Sequence, residues 1–104
     1  MTDKFISPCP KPAEYEAELL TILIEECAEV QQRATKMLRF GVNEIQPGQE
    51  LTNVDRLSLE CGDLTAIGDL CIEAGLINSD LAEKQVPVKQ AKLKKFLQSE
   101  RHHE

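Results

Sequence analysis

The sequence predicts an all-α fold. Two long stretches repeat apolar side chains at the three-to-four-residue spacing of a helix, and each runs up to a glycine. No segment alternates apolar and polar residues as a half-buried strand does. At 104 residues the chain is sized for one domain, with a thin core that a partner subunit would reinforce.

Taken in order, residues 1–12, with Pro8, Pro10 and Pro12, read as an extended N-terminal arm. A first helix is expected from about Ala13 to Phe40, rich in Glu, Leu and Ala, with Gly41 as its stop. Val42 to Leu51, containing Asn43, Pro47 and Gly48, is a polar loop. Thr52, with Asp55 three residues on, caps a second helix that continues to about Ala74 and stops at Gly75. Ser79 caps a short third helix ending near Gln85. Pro87 suits the first turn of a fourth, which reaches about Ser99. Residues 13–99 thus form one helical domain, and 100–104 a frayed tail. The second helix is apolar over more than half its circumference, more than one small neighbour covers. The expected architecture is an antiparallel bundle of two long and two shorter helices, completed by oligomerisation.

Composition narrows the function classes. Twelve basic residues against 18 acidic ones leave a formal charge of −6, which repels nucleic acid and anionic membrane. A phosphate ligand would therefore need metal ions or a local basic patch. Aromatics are 4% of the chain, so packing rests on Leu, Ile, Val and Ala. The longest strongly apolar run, Leu19 to Ile24, is too short to span a bilayer. Met1 to Lys11 lacks the apolar core of a signal peptide, so a cytoplasmic location is expected. Cys9, Cys27, Cys61 and Cys71 form no C-x-x-C pair, which argues against a zinc or redox motif. The last three occupy apolar helical positions and read as buried free thiols.

The placement of the acids is the informative feature. On a helical wheel Leu19, Leu23, Cys27, Val30, Ala34 and Met37 form one stripe, and Glu26 falls inside it. Glu29 lies along its edge, with Arg33 and Lys36, and Glu25 lies further out. In the second helix the apolar arc runs through Val54, Leu57, Cys61, Leu64, Ile67, Leu70, Cys71 and Ala74. Glu60 and Asp63 project within that arc, whereas Asp55, Asp69 and Glu73 gather on the opposite, polar face. Residues three apart on a helix are neighbours, so Glu26/Glu29 and Glu60/Asp63 each form a two-carboxylate claw. Ionised carboxylates facing one another in a low-dielectric site cost several kcal/mol each without a counter-charge. A hard divalent cation with oxygen ligands supplies it, which points to Mg²⁺, with Mn²⁺ as the substitute. The two histidines, His102 and His103, sit in the tail, which disfavours the Glu-x-x-His sites of di-iron bundles.

Glu25-Glu26-Cys27-Ala28-Glu29 followed by Glu60-Cys61-Gly62-Asp63 resembles the E-E-x-x-E…E-x-x-D signature of the MazG-like all-α nucleoside triphosphate pyrophosphohydrolases, especially the small phage and bacterial type. Lys36 to Gly41 and Asn53 to Asp63 read like theirs too, and the likeness covers about Leu19 to Leu97. The linker between the acid motifs is longer than the usual spacing. The resemblance implies Glu26, Glu29, Glu60 and Asp63 as metal ligands, with Glu25 an accessory acid that orients water or a second ion. These five would be the catalytic set, and the resemblance implies a homodimer or homotetramer. The implied reaction is hydrolysis of a nucleoside triphosphate to the monophosphate and pyrophosphate, with water attacking the α-phosphorus. Lys36 and Arg39 at the end of the first helix, and Lys89 and Lys92 on the fourth, are the candidates for offsetting the remaining phosphate charge. Two rival readings are a dUTP- or dCTP-specific hydrolase of the same superfamily and a non-enzymatic helical dimer that binds nucleotide or metal.

Overall fold

A computed structural model describes residues 11–97. Most of the N-terminal arm, Cys9, the end of the expected fourth helix and the tail with His102 and His103 lie outside the described residues. Among those described, the chain is all-helical: α1 spans Glu14–Phe40, α2 Asn53–Glu73 and α3 Ser79–Phe96.

Each helix end has a local cause. At the start of α1 the Glu16 carboxylate accepts a 2.9 Å hydrogen bond from the Ala13 backbone N–H, half of a capping box. The helix ends where the Gly41 N–H reaches Met37 O and Gly41 adopts φ +108°, a conformation a side chain would resist. Thr52 Oγ1 accepts from the Asp55 N–H, the expected cap of α2. The far end of α2 closes in a Schellman motif: Leu76 N–H bonds Cys71 O, Gly75 N–H bonds Ile72 O, and Gly75 sits at φ +78°.

The third helix departs from the sequence expectation. Instead of two short helices meeting at Pro87, α3 is continuous, with Pro87 inside it. Its cap is Asn78, whose Oδ1 accepts from the Leu81 N–H, and Ser79 is the first helical residue. Pro87 has no N–H to donate to Glu83 O, but ending the helix there would orphan several backbone groups. No Ser, Thr, Asn, Asp or Gly between Leu81 and Val86 could cap a new start. Losing one bond is the smaller penalty.

α1 and α2 form an antiparallel hairpin. Leu19, Ile67 and Cys71 are its fully buried apolar residues, flanked by Leu23, Leu64, Ala74, Leu76 and Ile77. At the opposite end the α1–α2 loop is tied down rather than loose. Asn53, 1% exposed, donates from Nδ2 to Gly41 O and to Glu44 Oε1, while Arg56 Nη1 donates to Gln46 Oε1. Backbone bonds from Asn53 N to Glu44 O and from Val54 N to Val42 O complete the clasp. α3 buries no residue. The radius of gyration is accordingly 18.8 Å, against about 13 Å for a compact chain of 100 residues.

The cysteine expectation is corrected in part. Cys71 is buried, but Cys27 and Cys61 are exposed. Their helices carry apolar arcs wider than the single seam between them, so the flanks of each arc remain uncovered.

Candidate metal centre

Packing α1 against α2 brings the two acid motifs to the same level of the hairpin. One carboxylate oxygen from each of Glu26, Glu60 and Asp63 lies within 4.8 Å of the others. Glu26 and Glu60 are half-buried, and Asp63 is exposed at the rim. Glu26 Oε2 is buried with no hydrogen-bond partner, an acceptor without a donor. Beside the acids lies a shallow, open depression lined by Ile22, Glu26, Asp63, Ala66, Ile67 and Leu70.

The electrostatics follow from this convergence. Burial holds the Glu60 carboxyl above its ordinary pKa, and the neighbouring charges of Glu29, Asp63 and Glu26 push it further the same way. Arg33 pulls in the opposite direction. Glu29 thus acts on Glu60 through its charge, although it is exposed and outside the three-oxygen cluster. Glu25 is exposed and also outside the cluster. Three converging carboxylates, one of which also has a buried oxygen without a donor, suit a hard cation whose remaining positions are filled by water or phosphate.

The basic residues expected at the site are not gathered there within one chain. Lys36 Nζ sits 5.7 Å and Arg39 Cζ 5.0 Å from the centroid of the Phe40 ring, cation–π contacts at the end of α1. Lys36 lies ten positions beyond Glu26 on the helix, about 15 Å along the axis. Lys89 and Lys92 are exposed on α3, which packs little against the hairpin. Among the described residues, the cation whose charge acts on Glu60 is Arg33, which is 9% exposed. Its signal in the sequence was its register, four residues beyond Glu29 on the same edge of the α1 stripe.

Among the described residues, no helix is long and apolar enough to cross a membrane. Comparisons of the chain with family models, with curated proteins and with solved structures find no match.

Proposed function

We propose that this protein is a Mg²⁺-dependent nucleoside triphosphate pyrophosphohydrolase of nucleotide-pool housekeeping, acting as a homo-oligomer in the cytoplasm. The observation that carries the reading is the meeting of carboxylate oxygens of Glu26, from α1, with those of Glu60 and Asp63, from α2, Glu26 also having an oxygen buried without a donor. These residues match the metal-binding positions of the acid signature that resembles the MazG-like enzymes, and an all-oxygen donor set fits magnesium better than softer metals. Glu26, Glu60 and Asp63 would hold the ion, with Glu29 adding negative charge beside Glu60. Bound magnesium would supply positive charge to the phosphate chain and to the departing pyrophosphate. Glu60, with its raised proton affinity, keeps a proton more readily than an ordinary glutamate until a cation displaces it. Glu25, pointing outward, remains the candidate for an accessory acid.

The test is pyrophosphate release from a panel of common and modified triphosphates with Mg²⁺, alongside thermal melts in EDTA and in millimolar Mg²⁺. Binding to the native state alone adds about 2.7 kcal/mol at one hundred times Kd, so the melts should separate by several degrees. Turnover of dUTP or dCTP alone would narrow the enzyme to that base. Nucleotide binding without turnover of any panel member would replace the enzyme with a binding module. Superimposed melts with Mg²⁺, Mn²⁺ and EDTA would remove the metal site.

A further inference from the structure

Among the described residues, Arg33 is the cation whose charge is felt at the acid cluster, and its environment is unusual for a helix arginine. It is only 9% exposed, and both Nε and Nη1 are buried with no hydrogen-bond acceptor. Two guanidinium nitrogens withdrawn from water without an acceptor are costly, whereas surface arginines keep their heads in solvent. Helical side chains lean toward the N-terminus, so Arg33 reaches back along α1 toward Glu29 and Glu26. Its charge is felt at Glu60 on the facing helix. Both Glu26 and Arg33 act on the Glu60 carboxyl through their charge, and each carries buried polar atoms without a partner: the acceptor Glu26 Oε2 and the donors Arg33 Nε and Nη1. A cation answers the first and an anion the second.

We propose that Arg33 is a phosphate-binding residue, its guanidinium holding an oxygen of a polyphosphate whose neighbouring oxygens meet the cation carried by Glu26, Glu60 and Asp63. This deepens the hydrolase reading and rests on it for the identity of the polyphosphate as a nucleotide's. It also supplies what Lys36, Arg39, Lys89 and Lys92 do not supply within one chain, a positive group at the acids themselves. Arginine suits the role because its planar, permanently charged head offers several donors to phosphate oxygens.

Calorimetric titration of the full chain and of Arg33→Met and Arg33→Lys, with inorganic pyrophosphate in millimolar Mg²⁺ and separately with Mg²⁺ or Mn²⁺ alone, tests this. Arg33→Met should weaken pyrophosphate binding by about tenfold or more. It should leave binding of the metal alone unchanged or tighter, because a positive charge beside the carboxylates is gone. Arg33→Lys keeps the charge and should show a smaller loss, and it carries the test if Arg33→Met does not fold. Pyrophosphate bound equally well by wild type and both variants, or not bound by wild type, overturns the proposal. So does a drop in oligomer size with pyrophosphate affinity per folded subunit unchanged, which would make Arg33 an interface residue. Wild type that binds pyrophosphate through Arg33 yet hydrolyses no triphosphate leaves Arg33 standing and removes the hydrolase. Hydrolysis with unchanged binding by Arg33→Met does the reverse.

Discussion

Asp63 and Asp69 carry the same chemistry, six residues apart on α2, and both are exposed. Only position separates them: an Asp63 oxygen lies within 4.8 Å of Glu26 and Glu60, whereas Asp69 is outside that cluster. Asp63→Asn is therefore expected to reduce triphosphate hydrolysis by about a hundredfold or more and to erase the stabilisation by Mg²⁺. Asp69→Asn should change stability by no more than about 0.5 kcal/mol and leave turnover near wild type. Equal activity of the two variants would detach the site from this helix. Glu60 gives a second expectation at the same scale. Its carboxyl is held above the ordinary value by burial and by Glu29, Asp63 and Glu26, so the native chain binds this proton more tightly than the unfolded chain. Its contribution to stability is complete below the ordinary glutamate pKa and is lost as pH rises through the raised folded value. Melting temperatures in EDTA should fall across that window, and Glu60→Gln should flatten the decline. A slope unchanged by Glu60→Gln would assign it to other carboxylates.

At the scale of elements, the helix ends were legible because they depend on local chemistry. Gly41, Thr52 and Gly75 act where glycine and threonine act in any helix, through φ > 0 and a side-chain acceptor. The α3 boundary is not legible from Pro87 alone. Whether a proline ends a helix depends on whether the flanking residues can cap the break, and these cannot. Because α3 is continuous, Pro87→Ala restores a donor to Glu83 O. The ellipticity at 222 nm should deepen and the melting temperature rise by several degrees. An unchanged melt would favour two separate helices. The clasp around Asn53 was also invisible in the sequence. Its hydrogen bonds reach back 12 residues to Gly41 and 9 to Glu44, spans that no local pattern encodes.

For the whole molecule, the decisive fact is how little a single chain buries. Leu19, Ile67 and Cys71 are the buried apolar residues among those described, while Leu38 is 88% and Ile24 69% exposed and α3 has no covered face. So thin a core leaves the conformational entropy of helix formation poorly offset. The proposed homo-oligomer would cover these surfaces. Sedimentation equilibrium at micromolar concentration should give twice 11.7 kDa, or four times if dimers pair. Leu93→Asp, on the apolar side of α3, should shift the chain toward smaller species and lower its melting temperature. In a true monomer it would be an ordinary surface change. A stable, active 11.7 kDa species would sink the oligomer.

What the sequence determined by itself was periodic or local. The all-helical class, the extent of the two long helices and the presence of acids within apolar arcs all follow from side-chain order read at 3.6 residues per turn. What the tertiary structure decided was distance and cover. It selected Glu26, Glu60 and Asp63 from the five acids of the two motifs as the converging group, because the crossing of α1 and α2 sets which oxygens meet. It left Cys27 and Cys61 in solvent, because a wheel gives the direction of a side chain but not whether a neighbour arrives. It also brought Arg33, an edge residue on the wheel, into a buried place beside the acids, because a long side chain is positioned by the facing helix as much as by its own.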